Sequence, residues 1–263
     1  MSYQTDNSAP PQISVITVVF SSAAHLEQCI QSVRAQNRVE YEHIVIDGGS
    51  TDGSVELIRR YADGLVSWVS EPDGGIGDAM NKGIARAQGE WLLFLHADDY
   101  LLSAESLAFC AQSLARSSAD IVCFPIHLGL PGQFRERRPR GGDFWLNLKT
   151  GIWHQASFIR RSLFKRLGGY DATLCIAMDY EFFLRAWRAE AIFENINHPA
   201  PTFMRATGLS SKRDWDSLLQ RFNEERTIHD RYASTPGLRL LYYMYWPAYL
   251  SYRWVRWRLS TDA

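Results

Sequence analysis

Long apolar runs are missing from this chain. No stretch reaches the ~18 uninterrupted apolar residues of a membrane-spanning helix, although 46% of the 263 residues are hydrophobic. Cysteine is sparse too. Cys29, Cys110, Cys123 and Cys175 are scattered without C-x-x-C or metal-ligand spacing, which reads as reduced thiols in a cytosolic protein. Excess charge is also lacking: a formal net charge of −1 gives no electrostatic case for nucleic acid as a partner. Phosphate-binding glycine motifs are absent. Phe20-Ser21-Ser22, not a glycine-rich loop, follows the first apolar run, which argues against a nucleotidyltransferase. Gly75-Ile76-Gly77 lacks the third glycine of a dinucleotide fingerprint, with Met80 in its place, and no P-loop occurs. Residues 1–12 are polar, with Asp6 and Pro10-Pro11, unlike a signal peptide. No internal repeat or low-complexity tract is present.

What the chain does contain, over its first 125 residues, is an alternation of strand and helix patterns that implies a mostly parallel sheet flanked by helices, an α/β fold. Residues 13–20 are apolar and β-branched, as in a strand buried on both faces. Further strands are expected at 41–46, 65–69, 91–95 and 121–124. Leu26, Cys29, Ile30 and Val33 mark a helix that Ser21 or Ser22 can cap, and other helices are expected at 54–61, 78–87 and 103–117. The pattern then loosens through Gly, Pro and the basic run Arg135–Arg140. Helices follow at 161–167 and 178–189, strands at 192–196 and 201–205, and helices at 211–233 and 237–258.

The most informative junction is Trp91-Leu92-Leu93-Phe94-Leu95 followed by His96-Ala97-Asp98-Asp99. Adjacent carboxylates where a buried strand surfaces are costly unless solvated, hydrogen-bonded or holding a cation. Open α/β sheets bind ligands at the carboxyl ends of their strands, so the pair is either a divalent-metal site for a phosphate-bearing ligand or a turn leading to the helix near Ser103. Two more strands end in acidic, glycine-rich loops, Asp47-Gly48-Gly49-Ser50 and Asp73-Gly74-Gly75-Ile76-Gly77. If the strands are parallel neighbours, all three loops meet on one rim, where glycine lets the backbone approach a ligand closely. Together they favour a nucleotide-diphosphate site.

These segments carry a family resemblance. Ser14-Val15-Ile16-Thr17…Phe20, Val45-Ile46-Asp47-Gly48-Gly49-Ser50-Thr51-Asp52-Gly53-Ser54 and Ser70-Glu71-Pro72-Asp73 through Ile84 occur in order, followed by Gly89-Glu90-Trp91…His96-Ala97-Asp98-Asp99 and Ala177-Met178-Asp179-Tyr180-Glu181…Arg185. The set resembles the inverting glycosyltransferases of family 2, most of all members that build bacterial surface polysaccharides, and covers about residues 12–205. The resemblance implies a GT-A fold: a nucleotide-binding half over 12–125, an acceptor-binding half over 126–205, and a helical extension over 206–263. It implies transfer of a sugar from a nucleotide-diphosphate donor, with UDP favoured, to a glycan or lipid-linked acceptor, assisted by Mg²⁺ or Mn²⁺.

By position, Thr17, Phe20, Asp47, Asp78, Asn81, Lys82 and Asp98 would bind the nucleotide. Phe20 would stack on the base, Asp47 would accept its N–H, and Asp78, Asn81 and Lys82 would lie near the ribose and diphosphate. Asp98 and Asp99 would form the metal motif, with Asp99 the direct ligand. Asp179 would be the general base; near a helix start, the dipole favours the ionised form that a base needs, and the same position also suits an ordinary helix N-terminal acid. Gly151-Ile152-Trp153-His154-Gln155 resembles a segment leading into the acceptor half, which makes Trp153, His154 and Gln155 acceptor residues. His154 could equally meet the metal or diphosphate, or simply bond the backbone.

Three positions depart from the pattern. His96 stands where many relatives have Asp or Asn, Gly48 replaces a frequent second Asp, and Met80 replaces an Arg seen in some relatives. His96 and Gly48 are the support for a rival reading, a membrane-associated assembly protein that keeps the fold without catalysis. Residues 237–258 are crowded with Tyr, Trp and Arg, which suits a lipid headgroup interface, a homodimer interface or a docked helix; Pro247 should kink or break a helix there. The expected location is cytoplasmic, peripheral to the inner face of the cell membrane.

Overall fold

The computed structural model describes residues 12–208, 211 and 214–261. The polar segment before residue 12, and residues 212 and 213 at the expected start of a helix, lie outside the described residues. Strand β1 (Ile13–Val19) is buried at all seven positions, because it lies in the middle of a sheet covered on both sides. It pairs in parallel with β2 (Tyr41–Asp47) and with β4 (Trp91–Phe94), and β2 pairs in parallel with β3 (Ser67–Ser70). The register places Val19 beside Asp47 and Asp47 beside Ser70, and Ala97 donates its N–H to the Val18 carbonyl. The carboxyl ends of four strands therefore coincide at one rim.

A two-residue strand, β5 (Tyr100–Leu101), follows the acidic pair directly. The large sheet continues with β6 (Ile121–Cys123). The smaller sheet takes in the hairpin of β7 (Ile126–Leu130) and β8 (Gln133–Arg137). Strand β9 (Ser157–Arg160) runs antiparallel between β4 and β6, β10 (Phe193–Asn195) closes the edge beside β6, and β11 (Thr202–Arg205) joins the smaller sheet. The strand orders are β10-β6-β9-β4-β1-β2-β3 and β5-β11-β7-β8. All but β9 in the large sheet point the same way, so it is mostly parallel, as the alternation predicts. The basic run expected as loop is instead partly β8, exposed throughout. A charged edge strand of this kind discourages pairing with another chain.

Helices α1 (Ala23–Arg34), α2 (Ser54–Arg60), α3 (Ile76–Arg86) and α4 (Ser106–Leu114) connect the first strands. Cys29 and Val33 of α1 and Leu107 and Cys110 of α4 pack with Ile13, Val15, Trp91 and Leu93 on one face of the sheet. The other face holds Ile16, Ile44, Leu92 and Phe94 against Met80 of α3, Phe164 of α5 (Arg161–Leu167), and Phe182 and Phe183 of α6 (Met178–Arg188). The expected Ser21 or Ser22 cap on α1 is not made: Ser22 Oγ donates to the Phe20 carbonyl, and Asp52 accepts the Ala23 N–H instead. A carboxylate from the neighbouring loop has displaced the local hydroxyl.

Helices α7 (Trp215–Tyr232) and α8 (Pro236–Thr261) complete the chain. Helix α8 continues through Pro247 without the expected break, because Tyr242 and Trp246 before the proline and Tyr249 and Trp257 after it pack on Leu218, Phe222 and Trp215. Its opposite face carries exposed Leu240, Tyr243, Met244, Val255 and Leu259. No helix among the described residues is long and apolar enough to cross a membrane.

Candidate active site

The rim is built loop by loop. After β1, Phe20 stands 69% exposed, the accessibility a stacking platform needs. The turn behind it is pinned by the next loop: Ser21 N–H donates to Ser50 Oγ, Ser22 N–H to Ser54 Oγ and Ala23 N–H to Asp52. Hydrogen bonds from Ser54 and Ala23 hold the Asp52 carboxyl below its ordinary value. Asp47, at the end of β2, is buried and accepts from Ser50 Oγ (2.5 Å), Ser70 Oγ (2.7 Å) and the N–H groups of Gly49 and Ser50. Its oxygens organise two loops at once.

Beside it, a Cβ on Gly48 would lie 2.5 Å from Asp73 Oδ2. The Asp73 carboxylate fills the space that a side chain at 48 would take, which gives the glycine a physical reason. Asp73 also accepts the Gly75 N–H, and Asp78 accepts that of Gly74; this bond, more than Lys82, lowers the Asp78 carboxyl from its ordinary value. Lys82 Nζ sits 3.0 Å from Glu71, 3.5 Å from Asp78 and 3.3 Å from the Pro72 carbonyl, so a cation faces the rim from α3. Three expected nucleotide contacts have their polar groups engaged within the protein, Asp47 being one, since burial and four internal donors keep it from the base N–H. Thr17 is buried within β1, its Oγ1 3.0 Å from His43 Nε2. Asn81 uses both ends of its amide on Tyr170, donating to the carbonyl and accepting from the N–H, and so clamps the turn after α5.

Asp98 and Asp99 differ. Asp98 Oδ2 is 3.3 Å from Thr207 Oγ1. Asp99 is buried; Oδ1 accepts the Arg205 N–H, and the Gln155 side chain bonds to the carboxyl, yet Oδ2 has no partner. Burial, then repulsion from Asp98, drives its pKa well above the ordinary carboxylate value. An orphaned buried oxygen beside a second carboxylate fits a divalent cation, which would offset both penalties. Among the described residues no group of three or more His, Cys, Asp or Glu side chains is arranged to hold a metal ion. The protein thus supplies two carboxylates, a set that suits Mg²⁺ sites completed by phosphate and water.

The acceptor side reaches the same rim through an unforeseen connection. His154, nearly buried on the turn before β9, places Nδ1 3.0 Å from Asp179 Oδ2 and Nε2 3.1 Å from His96 Nε2. Asp179 lies in the first turn of α6. Burial, then the neighbouring His154, lowers the His96 pKa well below its ordinary value. Gln155 serves Asp99, and Trp153 packs half-buried against the core. Sequence spacing carried no signal for Glu224 of α7, which accepts the N–H groups of Cys175, Ile176 and Ala177 (2.8–3.0 Å) just ahead of Asp179. It satisfies the amides leading into α6 that the helix itself cannot.

Comparison with known proteins places this rim in context. The model of the family described as "Glycosyl transferase family 2" matches residues 14–182. An uncharacterized glycosyltransferase of Mycobacterium tuberculosis is 41% identical over 180 residues, 67% of this chain and 69% of that one. A PGL/p-HBAD biosynthesis glycosyltransferase of Mycobacterium bovis is 33% identical over 196 residues, covering 72% and 75%. Among solved structures, S. aureus TarS 1-349 in complex with UDP-GlcNAc superposes with a TM-score of 0.67 at 19% identity over 86% of this chain and 67% of that one. The chain spans 40% of the longer TarS structure. The mannosyltransferase PcManGT from Pyrobaculum calidifontis, in complex with GDP-Man and Mn²⁺, superposes with a TM-score of 0.62 at 20% identity, covering 90% and 70%. The architecture is the GT-A fold.

Proposed function

The chain belongs to glycosyl transferase family 2, and on that premise we propose that it inverts the anomeric centre as it moves a sugar from a UDP donor to a glycan or lipid-linked acceptor. The observation that carries the reading is the hydrogen-bonded line from Asp179 through His154 to His96, which ends two residues from Asp98. A carboxylate from the acceptor half is thereby tied to the strand end that carries the acidic pair.

In a single displacement the acceptor hydroxyl attacks the anomeric carbon from the face opposite the nucleotide, through an oxocarbenium-like transition state. Asp179 takes the hydroxyl proton, a role worth roughly 10²–10⁴ in rate. Phe20 stacks on the base, and the buried Asp47 holds the loop against which the base rests. Lys82 and Asp78 border the diphosphate. Asp99, with Asp98, would hold Mg²⁺ or Mn²⁺, which supplies positive charge against the departing diphosphate.

The outer face of α8 is the membrane-facing surface in this reading. Residues 236–261 contain four arginines and no acid, and exposed Tyr243, Met244 and Leu259 lie among them, a composition suited to an anionic lipid interface. The GT-A body would then work at the cytoplasmic leaflet, beside a lipid-linked acceptor.

A thermal-shift panel of UDP, GDP and dTDP, each with and without Mn²⁺, tests the donor reading. The expected result is a rise in midpoint for UDP that needs Mn²⁺ and disappears in Asp99→Asn. A shift indifferent to Mn²⁺, or largest for GDP, would overturn the corresponding part. Stabilisation by UDP and Mn²⁺ without turnover of any sugar donor would favour the assembly-protein alternative.

A further inference from the structure

We propose that His154, held in one tautomer by His96, is the positioning residue that aims Asp179 at the acceptor hydroxyl. This rests on the reading of Asp179 as the general base. The geometry sets the direction of the chain. His154 Nδ1 faces a carboxylate oxygen at 3.0 Å, so it must carry the hydrogen; a bare nitrogen there would set lone pair against anion. With that hydrogen on Nδ1, the other ring nitrogen of His154 is left to accept, and His96 Nε2, 3.1 Å away, donates its own hydrogen to it. His154 is buried and His96 partly buried, and their ring centroids are 4.5 Å apart.

The consequence is a carboxylate with one oxygen committed. Asp179 Oδ2 is held by His154, while Oδ1 accepts the Tyr180 N–H at 2.7 Å and keeps a lone pair for the acceptor. An imidazole that orients an acid through one nitrogen, and is itself oriented through the other, works as the outer partners of metal-bound and catalytic imidazoles do. His96 thereby acquires a use: it steadies the base from the strand end that carries the acidic pair. The line runs from the loop after β4 to the first turn of α6.

The test has two arms. In the full chain with ¹⁵N-labelled histidine, resonances assigned with H154N and H96Q are expected to show His154 protonated at Nδ1 and His96 at Nε2 at neutral pH. His154 protonated at Nε2, the tautomer ordinarily favoured in water, would overturn the proposal. In the kinetic arm, UDP release from UDP-GlcNAc with Mn²⁺ is measured with water or added glycan as acceptor. His154→Leu is expected to lower kcat about 30-fold, less than the roughly 10²–10⁴ for loss of the general base itself, with donor KM unchanged. His154→Asn, whose Nδ2 can replace the lost donor, should recover most of that, and His96→Gln should likewise exceed His96→Leu. In an Asp179→Asn background, His154→Leu should add no further loss. Independent, multiplying losses, or a rise in donor KM alone, would overturn the positioning role while leaving Asp179 as base. An Asp179→Asn variant with full activity would instead remove the base reading itself. Circular dichroism and thermal midpoints close to the parent's confirm that each variant folds.

Discussion

The Asp47 loop and the Asp98–Asp99 loop sit on one rim, and each contains a carboxylate almost wholly shielded from solvent. Asp47 has four donors on its two oxygens; Asp99 leaves one oxygen with none. The first loop is complete as folded, and its acid belongs to the architecture. The second is incomplete as folded, and its acid keeps capacity for something that arrives. Burial alone would have ranked the two together; the inventory of partners separates them.

The sharpest break in that comparison is chemical. Asp179→Asn removes the proton acceptor while keeping the hydrogen bond from His154 within reach, and transfer is expected to fall by roughly 10²–10⁴ with unchanged UDP binding by thermal shift. Next comes Asp47→Ala. It strands two hydroxyls and two N–H groups near the sheet, each costing roughly 1–3 kcal/mol when left unpaired and buried. Allowing for relaxation, urea unfolding should show a loss of roughly 3 kcal/mol.

Asp99→Asn should do the reverse. In chelator it removes an uncompensated buried charge and should raise the midpoint by a few degrees, from about 1 kcal/mol. Its pH signature follows from linkage. The folded-state pKa lies above the ordinary 3.8, so the folded protein binds the extra proton across the window between the two values. Stability from this group is therefore present at low pH and lost as pH rises through the folded-state value. Thermal melts in chelator should show a decline with pH across that window that is shallower in Asp99→Asn; Mn²⁺ should stabilise the parent alone.

The smallest effect belongs to α8. Tyr243→Ser with Met244→Ser should weaken sedimentation with anionic vesicles about tenfold, while stability changes by less than about 0.5 kcal/mol, as at exposed sites generally. A shift in sedimentation coefficient of the parent, without vesicle binding, would assign that face to a second copy of the chain.

Much of the donor half was legible because its signals are local. β1 and β4 are continuous apolar runs, α1 shows helical spacing at Leu26, Cys29, Ile30 and Val33, and the three acidic loops follow their strands directly. β9 escaped because four residues with one charge carry too little periodicity, and its reversed direction depends on pairing with strands far away in sequence. The same limit hid the meeting of His96 and His154, 58 residues apart, and the use of Asn81 as a clamp on Tyr170. Their motifs suggest Thr17 and Gln155 as ligand contacts, but Thr17 bonds to His43 and Gln155 to Asp99. In α8, composition announced an interface; only packing shows that half of it faces α7 and the remainder faces outward.

The grip of Glu224 on the amides of residues 175–177 lies beyond residue 182, where the family match ends. A graft that moved only the matched segment into another scaffold would carry Asp179 but leave behind the carboxylate that ties down the three amides just ahead of it. Exchanging α7 would therefore act on the first turn of α6 without touching the loops that follow β1 to β4.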